Sequence, residues 1–412
     1  MSALYSVAHK FTAGVLTPKY FLVGAMICTA AVIFARAGLA RVANALNALI
    51  IAGVVASVLA VMPRPLVTQP FPDSHELADS TQRWVSGNGY TTRVHGNRPQ
   101  PPMYPPGFPL ALAPFAAVSH DYPSDVQRGA TFYAAIYVFT AAIAAWSLRG
   151  SAASAVIALL IGISPFARVE ASVILSDALA VALTILLVPL LKHPTDSRVS
   201  VAAVVAGALI AIRLPMFVVL VSLFLALPTA SWRRLVAYSA PPLAALAIFN
   251  WRTFGSVFRT GYHYYSAAGL RSFRPGFAVT SPMPGDGPWI IPDVLGGTFL
   301  RWTCPCPPGG PQAAMSNPAY YAAVLAGLFW LFLPPLVPLV GAVYMWRNRR
   351  SADVRFALSV IVFTFLLFIF YDYQGARFMA APVTLLGVFA AAEIARLIAP
   401  LKQRVVSRPN SA

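Results

Sequence analysis

Three carboxylates, Asp73, Glu76 and Asp79, recur at every third position of Pro72-Asp73-Ser74-His75-Glu76-Leu77-Ala78-Asp79. Wound as a helix, that spacing sets them along one face, a turn apart. Such a row can draw a proton from a hydroxyl nucleophile, or hold a hard cation where further oxygens complete its shell. A structural reading competes. Asp73 and Glu76 have capping-box spacing and would open a short helix along the membrane surface, with His75 and Asp79 as a neighbouring pair. One carboxylate can serve both purposes, so both readings stay open.

The same stretch carries a Gly-rich turn at 86–90 and a proline-rich piece at 99–109 that includes Tyr104-Pro105-Pro106-Gly107-Phe108-Pro109. Proline fixes the backbone and removes donors, so this piece is expected to be scaffold, with Tyr104 and Phe108 lining a groove or anchoring at the interface. His75, His95 and His263 lack metal-ligand spacing, and Cys304 with Cys306 cannot complete a four-ligand zinc site. No metal site is proposed from them. Cys304 and Cys306 are either free thiols or a strained local disulfide, and Cys28 reads as a small buried hydrophobe.

The elements that must position these groups are membrane helices. The chain is 58 % hydrophobic and 10 % charged, with mean hydropathy +0.68, whereas a soluble protein carries about 25 % charged residues. The expected fold is all-α: a polytopic bundle of about 11 transmembrane helices. The spans lie near 20–35, 42–62, 129–147, 153–167, 171–191, 200–212, 214–228, 235–250, 320–345, 354–371 and 378–398. Two long loops, 63–128 and 251–318, are expected on the outer face, carrying short interfacial helices. Residues 1–398 form one membrane domain and 399–412 a short cytoplasmic tail. Residues 1–19 lie outside or, if the first span is re-entrant, in the cytoplasm; no cleaved signal peptide is expected.

The net charge of +17 suits nucleic acid, but its placement excludes that class. Half of the 30 basic residues, Arg149, Lys192, Arg233, Arg347 and Arg349 among them, fall in alternate short connections or the tail. That is the positive-inside pattern, and the excess reads as topology and attraction to anionic membrane lipids. Most acids fall in the two long loops. Ionisable groups held against a bilayer are costly, so the 63–128 loop is where function is expected.

The order of these landmarks resembles the integral-membrane glycosyltransferases of the GT-C type. The similarity is to the polyprenyl-phosphate-sugar-dependent branch that includes aminoarabinose transferases and protein O-mannosyltransferases. It is carried by the Asp73–Ala78 segment, the Gly89-Tyr90 turn and the Tyr104–Leu110 stretch. Downstream follow Ser176-Asp177-Ala178-Leu179, Ile212-Arg213-Leu214-Pro215, Asn250 with Phe254-Gly255, and Gly375-Ala376-Arg377-Phe378 with Ala381-Pro382. The resemblance covers roughly residues 60–398.

It implies a multi-pass enzyme of the plasma or inner membrane. Such an enzyme moves a sugar from a polyprenyl-phosphate donor to a glycan, lipid or protein acceptor on the extracytoplasmic face, inverting the anomeric carbon. Asp73 matches the family's candidate base and Glu76 would orient it or the acceptor; some relatives bind a divalent metal with acids of this loop. A base beside a low-dielectric surface is expected to have a raised pKa. The departing phosphate needs cations. Aminoarabinose transferases carry Lys before the paired prolines, where this chain has Tyr104, so the role falls to Arg83, Arg93, Arg98 or Arg128. Arg213 and Arg377 are either phosphate clamps or partners of Asp177, Glu170 or Asp372. His263, in Tyr262-His263-Tyr264-Tyr265, belongs to a stretch that stacks on a sugar or belts the interface. The alternatives in other classes are a transporter or lipid flippase, which would bind at the midplane between paired repeats, and a non-catalytic assembly subunit.

Overall fold

Prolines and charged residues divide the apolar chain into helices, and most functional landmarks fall at the joints. The computed structural model describes residues 72–94, 98–119, 122–162, 173–262, 317–326, 336–369 and 376–406, all within a compact unit, Arg64–Ala412. The expected spans at 20–35 and 42–62 lie outside the described residues, as do Cys28, Glu170, His263, Cys304, Cys306 and Asp372.

Twelve α-helices stand among the described residues: α1 (Pro72–Val85), α2 (Gly107–Ser119), α3 (Ser124–Arg149), α4 (Ala152–Gly162), α5 (Asp177–Lys192), α6 (Asp196–Ile212), α7 (Phe217–Ala226), α8 (Trp232–Phe254), α9 (Asn317–Leu325), α10 (Leu336–Arg347), α11 (Ala352–Ile369) and α12 (Ala380–Val406). The one extended pairing among them is an isolated bridge, Thr92 to Gln100. Three segments, Ser124–Arg149, Ala352–Ile369 and Arg377–Ile398, are long and apolar enough to cross a membrane, and Gly107–Val118, Leu214–Ala226 and Leu336–Arg347 are shorter apolar helices. This is a helical membrane protein.

Eleven spans are not confirmed. The stretch expected as one span at 320–345 contains two helices, since α9 stops at Leu325 and α10 begins at Leu336. The proline-rich piece is also more than a loop. From Gly107 it becomes α2, whose Phe108, Leu112 and Ala116 are fully buried.

Helix α12 is the hub. Leu385, Phe389, Ala390, Ala391 and Ala392 are all buried, so it is apolar on every side, as expected of a helix enclosed by others. It packs on α3, α4, α5, α10 and α11. Helix α3 meets its neighbours through Ala134, Ala141, Ala142, Ala144 and Ala145, small residues that let helix backbones approach closely. Tyr137 Oη and Thr384 Oγ1, 3.0 Å apart, tie α3 to α12. Apolar side chains such as Ile248, Trp251, Leu339 and Val362 face outward, as lipid contact requires.

Charges gather at the two ends of these helices. At one end Lys192 donates to the carbonyls of Ser147 and, at 2.9 Å, Leu148. These are carbonyls in the last turn of α3, which have no partner within the helix. Glu393, buried near the same end, accepts from Arg396 at 2.7 and 2.9 Å and from Arg347. The opposite ends of α5 and α12 begin with Asp177 and follow Arg377.

Candidate active site

Asp73 occupies the first turn of α1, one residue after Pro72. Proline suits the first helical position because its missing N–H had no partner there. Asp73 is therefore inside the helix and is not its cap. Its Oδ2 instead accepts from Arg377 Nη2 at 2.8 Å. Glu76 does not complete a capping box either: it is buried, and Oε1 accepts the Met103 backbone N–H. Asp79 accepts from Thr92 Oγ1 at 2.9 Å and Arg93 N at 2.7 Å, closing the turn that follows α1.

Arg377 enters from the 3-10 turn Ala376–Met379 that leads into α12. Its Nη1 lies 3.9 Å from Asp177 Oδ2. The other oxygen of Asp177 pairs with Arg213. Arg213 stands where α6 ends: Pro215 cannot donate to the preceding turn, so the chain breaks at Arg213 and restarts through the 3-10 turn Leu214–Met216 into α7. Four joints thus deliver one alternating row, Asp73, Arg377, Asp177, Arg213. Its side chains are 4 to 19 % exposed.

Phe378 lies under both guanidiniums, with centroid distances of 5.6 Å to Arg213 and 5.5 Å to Arg377. It is itself held by parallel stacking on Phe368, 4.4 Å away. A pocket opens beside the row. Arg213, Arg377 and Asp177 form its polar wall, and Val181, Met216, Phe368 and Phe378 its apolar one. Asp177 Oδ2 is buried and has no hydrogen bond among the described residues, although Arg377 is nearby.

The electrostatics differ from expectation. Burial pushes the Asp73 carboxyl up, but the Arg377 guanidinium, the Tyr104 hydroxyl and Arg213 together hold it below its ordinary value of 3.8. The expected rise rested on burial alone and omitted the two cations. Tyr104 moves well above its ordinary value, through burial first and then the nearby Asp73, Tyr262 and Glu76; its proton stays on. Asp73 is ionised, and the row is balanced at two positive and two negative charges.

Not every residue singled out by sequence joins this row. Arg83 Nε donates to Thr91 Oγ1 at 2.8 Å, about 15 Å along α1 from Asp73 at helical rise. Arg98 and Arg128 are exposed, and the cations acting on Asp73 are Arg377 and Arg213. Asn250 closes the end of α8 by donating to Val257 O at 3.2 Å. Asp177, read from sequence only as a partner for an arginine, is a full member; its signal was Ser176-Asp177 opening a span. No group of three or more His, Cys, Asp or Glu side chains stands among the described residues in a form that could hold a metal ion. Asp73 and Glu76 each accept from a protein donor at one carboxylate oxygen.

Neither a protein-family model nor a curated protein matches the sequence significantly. Solved structures do match the fold. ArnT from Cupriavidus metallidurans in the apo state shares 15 % identity at a TM-score of 0.54, over 87 % of this chain and 62 % of that one. ArnT bound to undecaprenyl phosphate shares 16 % at 0.52, over 88 and 66 %. The archaeal oligosaccharyltransferase AglB from Archaeoglobus fulgidus, in complex with an inhibitory peptide and a dolichol-phosphate, shares 14 % at 0.53, over 88 and 51 %. The chain therefore spans between 51 and 66 % of the length of these structures. In fold it is similar to ArnT and AglB, both GT-C glycosyltransferases, as its sequence motifs led us to expect.

Proposed function

We propose that the protein is a membrane glycosyltransferase that moves a sugar from a polyprenyl-phosphate donor to an acceptor hydroxyl on the extracytoplasmic side of the cell membrane. The observation that carries this reading is the contact of Asp73 with Arg377 beside a small, mainly apolar pocket that Arg213, Arg377 and Asp177 also line. Arg213 and Arg377 offer planar forks to a phosphate. That the solved ArnT and AglB structures hold undecaprenyl phosphate and a dolichol-phosphate supports the same choice of donor. A row at helix ends also suits an interfacial reaction better than transport through the midplane.

In the reaction, the acceptor oxygen bonds to the anomeric carbon from the face opposite the phosphate, while its proton passes to Asp73. The bond from that carbon to the phosphate oxygen breaks, and the electron pair leaves with the polyprenyl phosphate, stabilised by Arg377 and Arg213. Inversion follows from the single displacement. Before the donor arrives Arg377 damps the basicity of Asp73. A phosphate that shares Arg377 offsets that positive charge and strengthens the base when a substrate is present.

The test is reconstitution of the purified protein with a polyprenyl-phosphate-linked sugar and candidate glycan, lipid and protein acceptors, with release of polyprenyl phosphate as the readout. Release that depends on an acceptor supports the reading. Movement of the intact lipid between leaflets without cleavage overturns it in favour of a flippase.

A further inference from the structure

Two guanidiniums that line one pocket repel each other, so the protein must hold them at a fixed spacing. Asp177 does part of this. One of its oxygens pairs with Arg213, but the other is 3.9 Å from Arg377, beyond hydrogen-bonding distance. Both arginines also share one ring. Phe378 is 5.6 Å from Arg213 and 5.5 Å from Arg377, within cation–π reach of each. That ring is buried and ends an aromatic column. Phe368, in the last turn of α11, stacks on it at 4.4 Å with the planes 1° apart. Tyr321 of α9, fully buried, meets Phe368 in turn at 6.4 Å. Helices α9 and α11 thus brace a ring that the turn Ala376–Met379 carries to the two cations.

We propose that Phe378 is a positioning residue for the donor's phosphate: its braced ring holds the Arg213 and Arg377 forks together at the pocket without adding negative charge there. This rests on the reading that a polyprenyl phosphate binds at this pocket. Asp73 and Asp177 also hold the arginines, but a carboxylate repels an arriving phosphate. A ring attracts a cation through its quadrupole and is neutral, so it fixes the guanidiniums and leaves their full charge for the ligand. Arginine side chains are long and rotamer-rich. Those already fixed have less freedom to lose when the phosphate binds.

The experiment is Phe378→Leu, which keeps the position apolar but removes the ring, beside Phe378→Tyr, which keeps the ring. Binding of a polyprenyl phosphate and of the uncharged polyprenol is measured on the purified protein in detergent, together with donor-dependent transfer. We expect Phe378→Leu to weaken polyprenyl phosphate binding and raise KM for the donor roughly tenfold, two cation–π contacts being lost. Polyprenol binding and kcat should stay unchanged, as when only uniform binding is removed. Phe378→Tyr should restore most of the affinity. Phe368→Leu, which removes the brace but not the ring, should give a smaller loss of the same kind, and it carries the test if Phe378→Leu does not fold. Wild-type affinity in both leucine variants, a fall in kcat alone, or Phe378→Tyr binding no better than Phe378→Leu overturns the proposal. If the wild-type protein binds polyprenol as tightly as polyprenyl phosphate, the donor reading fails and takes this inference with it. If it selects the phosphate and Phe378→Leu selects it equally well, only this inference fails.

Discussion

Arg377 donates to Asp73 across 304 residues of sequence, at 2.8 Å. The contact joins the first turn of a loop helix to the entry of the central helix. Both side chains are mostly buried, at 19 and 17 % exposed, so neither charge could sit there alone without a large desolvation cost.

Asp73→Asn should abolish transfer, by a factor on the order of 10² to 10⁴ for a lost general base, while the protein remains folded and retains the donor. Turnover and donor binding, measured on the same purified sample, check this. Undiminished turnover would remove Asp73 from the chemistry.

A double-mutant cycle on Asp73→Asn and Arg377→Gln should return a coupling of about 1.5–3 kcal/mol, the range for a hydrogen bond between charged groups. Unfolding in detergent provides the readout. Coupling near zero would mean that the 2.8 Å contact does not persist in the bilayer.

Acid should weaken the fold through the same pair. Because the Asp73 pKa is lowered in the folded protein, its contribution to stability is fully present above its ordinary value of 3.8 and is lost as pH falls through the lower folded value. In Arg377→Gln burial is left less opposed, and a carboxyl whose pKa rises costs stability when ionised. The stability gap between wild type and Arg377→Gln should therefore narrow as pH falls through 3.8 and below. A gap that widens on acidification contradicts the sign.

Close helix packing gives a prediction independent of function. A Cβ on Gly341 would strike the backbone of Leu386, where α10 crosses α12. Gly341→Val should lower stability by about 1–3 kcal/mol, as overpacking does. A melting temperature equal to wild type would show that the two helices can separate at little cost.

Sidedness can be tested directly. A single cysteine at Asn88, exposed in the turn after α1, should react with an impermeant reagent applied to intact cells. One at Arg350, exposed after α10, should react only after permeabilisation. The reverse pattern would turn the site towards the cytoplasm.

Much of the helical class and of the row was legible because hydropathy and motif order survive without coordinates. Arg213 and Arg377 could be placed at helix ends, because Pro215 and the polar residues before Arg377 interrupt apolar runs. The choice between clamp and partner was not legible: it depends on α5 delivering Asp177 between two arginines, a packing fact. Helix α2 was hidden by its length. Its 13 residues fall short of the roughly 20 a span needs, and four prolines, Pro105, Pro106, Pro109 and Pro114, immediately precede or interrupt it. The pKa of Asp73 was misjudged because burial can be guessed from a loop beside a membrane, whereas the cations that oppose it arrive from positions 213 and 377.

Helices α5 and α12 each carry a charge cluster at both ends, and their lengths set a ruler. Asp177 to Lys192 and Arg377 to Glu393 correspond to about 22 to 24 Å of helix, against a hydrocarbon slab of about 30 Å. A bilayer of ordinary thickness can therefore leave the Arg213–Arg377 end sunken beneath the headgroup plane. A lipid phosphate would then reach its cations by being drawn downward, into surroundings poor in competing water.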